Sequence, residues 1–156
     1  MRKFLTAMAT MAAVVGVMVM PMSVTVAQDA NKAAYDKRSK AMKSNGESMG
    51  VLGKIAKGEA PYTPDAVKAA ETVSAVSKEL AGLFPAGSAV GESRAKPNIW
   101  TNWPDFQNKA KALVDPADKL VAAAKTGNKD EIGKALGAVG GACKACHDDY
   151  RAPPKT

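Results

Sequence analysis

The sequence predicts an all-α protein, an antiparallel four-helix bundle, on three observations. Strand formers are scarce beside Ala, Lys and Leu, and only 5% of the 156 residues are aromatic, which disfavours a β fold. Apolar residues recur with helical period in four stretches. The connections between those stretches run short, long, short, which makes two antiparallel hairpins joined by a crossover. A chain of this length suits one domain.

The first helix is expected from about Asp29 to Lys57. Met42, Met49, Leu52 and Ala56 fall on one face of it, and Gly58 and Pro61 end it. The second starts at Thr63-Pro64, a capping residue followed by a first-turn proline. Its stripe is Val73, Val76, Leu80 and Leu83, and Pro85 closes it. Residues 86–103 are rich in Gly, Ser and Pro and show no period. The third helix begins at Pro104, with Phe106, Ala110, Leu113, Ala117, Leu120 and Ala124 at alternating steps of four and three. Pro116 interrupts it. The stripe keeps its phase across the proline, so a kink is expected rather than a break. After Thr126-Gly127, Asn128 with Glu131 three residues on is a capping-box arrangement. The last stripe is Ile132, Leu136, Val139, Cys143, Cys146 and Tyr150, and Pro153-Pro154 ends it.

Residues 1–27 are read as a secretory signal peptide rather than part of the fold. Met1-Arg2-Lys3 is a basic start, Phe4 to Met20 carries no charge, and Thr25-Val26-Ala27 offers small side chains for cleavage after Ala27. A membrane anchor is the competing reading, but about 17 residues before Pro21 are short for a bilayer span. The mature domain is then 28–156, exported to a bacterial periplasm, with no stable membrane insertion. Loss of Arg2 and Lys3 takes the 22 basic groups to 20 against 15 acidic ones, a net +5. Six of the eight methionines leave with the leader, so only Met42 and Met49 remain. The lysines spread along the outer faces without a cluster, which argues against a nucleic-acid partner.

The chemistry lies in Cys143-Lys144-Ala145-Cys146-His147, which uses both cysteines and the only histidine. Cys-x-x-Cys-His is the attachment pattern of haem c. On a helix these three side chains share a face. Cys143 and Cys146 can form thioethers with the two vinyl groups on one edge of a porphyrin, and His147 can bind its iron. Three other readings compete. A disulfide could form within the motif. A thioredoxin-like redox pair would stand at a helix start after a strand. Zinc would need Asp148 or Asp149 as a fourth ligand. With haem in place, only Met42 and Met49 can supply a thioether to the iron's other side, and an open sixth site is the alternative.

The late motif on the last of four helices resembles the cytochrome c prime family, the class II c-type cytochromes. Further marks are Phe84-Pro85-Ala86-Gly87-Ser88, Lys96-Pro97-Asn98-Ile99-Trp100, Phe106 and Cys143 through Arg151. The resemblance covers essentially the whole mature chain. It implies one covalent haem c with its iron, and a distal residue four after an arginine on the first helix. Arg38 makes that residue Met42, and the run from Lys43 to Gly53 is similar to the low-spin, methionine-ligated branch typified by cytochrome c-556. Homodimers through the first two helices are common in the family. Arg38 is expected at a haem propionate or in water. Arg151, one turn after His147, is expected beside the proximal haem or solvated at the helix end. Trp100 and Tyr150 are read as core packing, and Lys40 and Lys43 as a solvated face.

These readings imply a periplasmic electron carrier with six-coordinate His147/Met42 iron, steered by its positive charge toward acidic redox protein partners. The alternative is a five-coordinate protein that binds nitric oxide or carbon monoxide at an open distal site. A peroxidase would want a distal acid–base residue, and no second histidine exists to serve.

Overall fold

A computed structural model of the chain describes residues 22–154, with side chains from residue 25. The elements are α1 (Met22–Ala56), α2 (Asp65–Glu79) extended by a 3-10 turn (Leu80–Leu83), α3 (Asn98–Thr101), α4 (Trp103–Ala112), α5 (Val114–Thr126) and α6 (Lys129–Tyr150). Four long arms, α1, α2, α4 with α5, and α6, form the expected four-helix bundle. Among the described residues the only β pairing is one antiparallel bridge, Ala95 with Arg151. The basic start and apolar run of the expected leader lie outside the described residues.

Helix α1 begins at Met22, seven residues before the expected start, because nothing between Met22 and Asp29 breaks a helix. It ends where expected. Gly58 takes φ +74°, its N–H donates to the Ile55 carbonyl, and the Glu59 N–H donates to the Lys54 carbonyl. Those two bonds are a Schellman ending, which needs the left-handed conformation glycine adopts without strain. At the head of α2 the expectation fails. The Thr63 hydroxyl makes no cap bond. Pro64 is already helical, so the Thr63 and Pro64 carbonyls accept the Ala66 and Val67 N–H groups in a first turn opened by backbone alone.

The third arm shows what Pro116 does. Without an N–H it cannot donate to the Ala112 carbonyl, and the bonding ladder parts at Leu113, between α4 and α5. The Leu113 backbone stays helical at φ −78° and ψ −24°, so the path bends without stopping. All six stripe residues from Phe106 to Ala124 are buried, as the unbroken phase required. At α6 the Asn128 side chain accepts the N–H groups of Asp130 (2.9 Å) and Glu131 (3.2 Å). The return half of the capping box differs from the expected one. The Asn128 N–H donates to Thr126 Oγ1 at 3.1 Å, and that hydroxyl in turn lies 2.9 Å from Glu131 Oε2.

The crossover at residues 84–102 is tied down rather than loose, and Arg38 is its main tie. This side chain is 5% exposed. Its guanidinium donates to Leu83 O (3.1 Å), Ser88 Oγ (3.0 Å), Ser88 O (2.9 Å) and Ser93 Oγ (3.1 Å). It also stands over the Phe84 ring, 4.6 Å from the centroid. The far end of the crossover is laced to the end of α6. The Lys96 N–H donates to Tyr150 O, and the Ala152 N–H to Arg94 O. Trp100 Nε1 donates to the Phe84 carbonyl at 3.1 Å, which fits its reading as packing.

Two stability predictions follow from these ties. Arg38→Ala strands four acceptors, some of them buried, and should lower unfolding stability by about 3 kcal/mol, read by urea denaturation. The Tyr150 hydroxyl donates to Asp105 Oδ2 at 2.5 Å. Burial, then that bond, pushes its pKa from 10.0 up to about 12. A raised folded-state value stabilises the fold fully below the unfolded value and is lost as the proton leaves. The stability advantage over Tyr150→Phe should therefore hold below pH 10 and shrink as pH rises to about 12, seen in denaturation midpoints across that range.

Candidate functional site

A cavity of about 510 Å³ occupies the bundle interior between α1 and α6, within the size range of cofactor sites. From α1 it is lined by Tyr35, Ser39, Met42, Asn45, Gly46 and Met49, which lie on one helical face. From α6 it is lined by Val139, Ala142, Cys143, Cys146, His147 and Tyr150, with Arg151 just beyond the helix. Val73, Leu80, Phe84, Ile99, Phe106 and Leu113 supply apolar walls. The structure thus brings Cys143, Cys146, His147 and Met42 to one space. Met49, the other candidate thioether, lines it too.

Helix register separates the two methionines. A Cβ placed on Gly133 would stand 3.6 Å from Ala56 Cβ, and one on Gly53 would stand 3.8 Å from Leu136 Cδ2. As α1 advances from 53 to 56, α6 retreats from 136 to 133, so the two helices are antiparallel. Met42 lies eleven residues before Gly53, and His147 eleven residues after Leu136. Eleven residues are about three whole turns, so both side chains return to the facing stripes at the same level. Met49 falls level with Gly140 instead.

Cys143 and Cys146 are half-buried on α6. Burial pushes both thiols above their ordinary pKa, with Lys109 pulling Cys146 partly back. They stand in an apolar wall, fourteen and seventeen residues past the first residue of α6, and not at a helix start. That placement does not suit the redox-pair reading. Among the described residues no group of three or more His, Cys, Asp and Glu side chains is placed to hold a metal ion, so the zinc reading has no fourth ligand. His147 is half-buried, and its pKa is lowered by burial first, then by Arg151 and Arg94. The imidazole is therefore neutral at pH 7, the form with a lone pair for a metal.

The donor set fits haem c. Two thiols and a neutral imidazole on one helix face meet an apolar space with thioethers across it. One further observation agrees with an occupied cavity. Asn45 Oδ1 is buried in its wall with no hydrogen-bond partner, a cost unless something there supplies a donor.

Arg38 does not line the cavity, and its four terminal N–H groups donate to Leu83, Ser88 and Ser93. Arg151 does line the cavity while staying exposed. Its backbone is extended, its N–H donates to the His147 carbonyl, and its charge bears on the imidazole. Sequence reasoning missed Arg94, Lys109 and Tyr35 as lining residues. Arg94 comes from the aperiodic crossover and is held by Nε donating to Ala152 O at 2.8 Å. Lys109 pairs with Asp149 at 2.9 Å. No local pattern marks either. Tyr35 sits one turn before Ser39 on the α1 stripe, and could have been found by extending that stripe backwards.

Residues 33–151 match the profile of the family described as Cytochrome C'. A cytochrome c' from Pararhodospirillum photometricum is 37% identical over 121 residues, covering 77% of this chain and 97% of that protein. A cytochrome c-556 from Agrobacterium tumefaciens (strain II Chrys) is 43% identical over 117 residues, covering 74% and 94%. Among solved structures, cytochrome c' from Rubrivivax gelatinosus superposes with a TM-score of 0.71 at 33% identity, covering 78% of this chain and 97% of that one. A nitric oxide complex of a cytochrome c prime variant from Alcaligenes xylosoxidans gives 0.70 at 33% identity, covering 79% and 97%. With its bundle, its interior cavity and its Cys-x-x-Cys-His run, the chain belongs to the cytochrome c' family of c-type haem proteins, which carry one covalent haem c with its iron.

Proposed function

We propose that this protein is an exported electron carrier, its haem c tethered through Cys143 and Cys146 and its iron held between His147 and Met42. The observation that carries the reading is the register of α1 against α6, which sets Met42 level with His147 across the cavity. Three relatives named cytochrome c-556, at 41% to 43% identity, support the methionine-ligated branch. When bound, the haem supplies a one-electron iron couple, at a potential that a thioether ligand raises.

The chain's own residues do the rest. Helix α6 presents both thiols and the imidazole on one face, so tether and ligand are fixed together. Burial first, then Arg151 and Arg94, hold His147 neutral. With haem bound, Met42 would hold the iron together with His147 and leave no place for a substrate. Apolar walls from α2 and α4 exclude water from the buried faces. The excess positive charge favours docking with acidic redox proteins. Among the described residues no helix is long and apolar enough to cross a membrane.

The reading includes cleavage after Ala27, a periplasmic location and a single mature domain of residues 28–156. Residues 25–30 are all exposed, so a cut after Ala27 falls on an exposed stretch of α1. The intact mass of the purified protein should correspond to a chain beginning at Gln28 plus one haem. A homodimer fits the family, some of whose members dimerise.

A second reading is a five-coordinate binder of nitric oxide or carbon monoxide. It is favoured by the solved nitric oxide complexes among the structural neighbours. One pair of variants separates the two. The holoprotein should be low-spin in both oxidation states and should not take up carbon monoxide at neutral pH. Met42→Leu should convert it fully to high spin and open it to carbon monoxide, whereas Met49→Leu should leave the visible spectrum unchanged. An unaltered Met42→Leu spectrum overturns the axial assignment.

A further inference from the structure

Tyr150 closes α6 with its ring in the cavity wall and its side chain 4% exposed. Its hydroxyl has two partners. It donates to Asp105 Oδ2 at 2.5 Å and accepts weakly from Asn102 Nδ2 at 3.4 Å. Asp105 stands on α4, close enough to Lys109 for the two charges to interact. The Tyr150 ring packs edge-on against Phe106, with centroids 5.3 Å apart. Phe106 in turn stacks on Trp103 at 5.4 Å. Trp103 is only partly buried. A continuous run of rings therefore links a partly exposed indole to a buried phenol that holds a short bond to a carboxylate.

This arrangement exceeds what packing requires. A buried tyrosine needs one polar partner, and a neutral carbonyl would be enough. A carboxylate acceptor has a different chemical consequence. Removing an electron from a phenol makes its O–H strongly acidic, so oxidation proceeds only where the proton has somewhere to go. An exposed tyrosine uses water. A buried one needs an internal base already within hydrogen-bond reach.

We propose that Tyr150 and Asp105 form a proton-coupled one-electron relay, fed through Phe106 from Trp103. An outer-sphere one-electron oxidant docking at Trp103 is reduced by one electron, which comes from the Tyr150 ring. The Tyr150 O–H bond breaks and an O–H bond forms on Asp105 Oδ2, leaving a neutral phenoxyl and a protonated carboxyl. A one-electron donor then reduces the phenoxyl, and the proton returns from Asp105 to the phenolate oxygen. The pair ends as it began. Its buried oxygen keeps the phenoxyl from coupling with a second tyrosine. The relay goes beyond the proposed coordination of the iron and holds whether or not Met42 is a ligand.

The test uses the holoprotein, oxidised by photogenerated tris(bipyridine)ruthenium(III), freeze-quenched and read by electron paramagnetic resonance. Ring-deuterated tyrosine should narrow the radical signal. The double variant Tyr35→Phe/Tyr62→Phe, in which Tyr150 is the only tyrosine left, should keep the signal, and Tyr150→Phe should lose it. Asp105→Asn exchanges a charge-assisted bond for a neutral one and should slow radical formation about tenfold. Wild-type formation should slow severalfold in deuterium oxide, a measurement that needs no variant to fold. Ascorbate should restore the starting state. A signal that disappears in the double variant, or formation with no isotope effect and no dependence on Asp105, would overturn the relay.

Discussion

The close antiparallel contact of α1 with α6 is the constraint on which the site depends. At Gly53 and Gly133 there is no side chain, so Leu136 and Ala56 approach the opposite backbone. This contact fixes how far one helix can slide along the other. Three turns away the same register governs which residues of α1 stand across from the motif on α6. A slide of one turn would replace Met42 by a neighbour about four residues away and lose the pairing with His147.

A bundle with a cavity of this size at its centre must be held at its edges, and the crossover does that. Helix α1 reaches across through Arg38, whose four terminal donors end on Leu83, Ser88 and Ser93. Helix α6 reaches back through Tyr150 and Ala152, whose backbones bond with Lys96 and Arg94. The aromatic group of Phe84, Trp103, Phe106 and Tyr150 packs between these two lacings. The segment with the least sequence periodicity is thus among the most fully bonded. Burial pulls the Arg38 pKa below its ordinary value, yet guanidinium remains charged and can satisfy several carbonyl and hydroxyl acceptors from one point.

The contrast between what was legible and what was not has a physical basis. The stripe from Phe106 to Ala124 was read correctly through Pro116, because helical phase depends on backbone angles and survives one lost hydrogen bond. The motif on α6 was legible because its chemistry is local: three side chains within five residues of one helix. Asn128 was found as a cap for the same reason. Thr63 was not, since proline opened the first turn before the hydroxyl could cap it. The protein partners of Arg38 were not legible, and Arg94 and Lys109 were missed, because those partners lie 40 to 58 residues away in sequence. Such partners are chosen by tertiary packing, on which a local pattern carries no information. The α1–α6 register was likewise hidden, because it depends on contacts between residues 77 to 83 apart in sequence, 56 with 133 and 53 with 136.

The electrostatics of the cavity follow from that long-range assembly. Arg94, Lys109 and Arg151 bring three cations to its wall, and Glu92 brings one carboxylate. Lys109 is paired with Asp149 at 2.9 Å, and beyond burial the charges that lower the His147 pKa, against a smaller opposing pull from Asp148, are the two guanidiniums. They come from different segments, the crossover and the residue just past α6, and the backbone bonds between those segments hold them together. A protonated imidazole there would face two fixed cations while losing hydration to burial. Each effect alone favours the neutral ring, and they act in the same direction. The lacing that closes the fold therefore also keeps the His147 lone pair available, so that scaffold and site share one set of bonds.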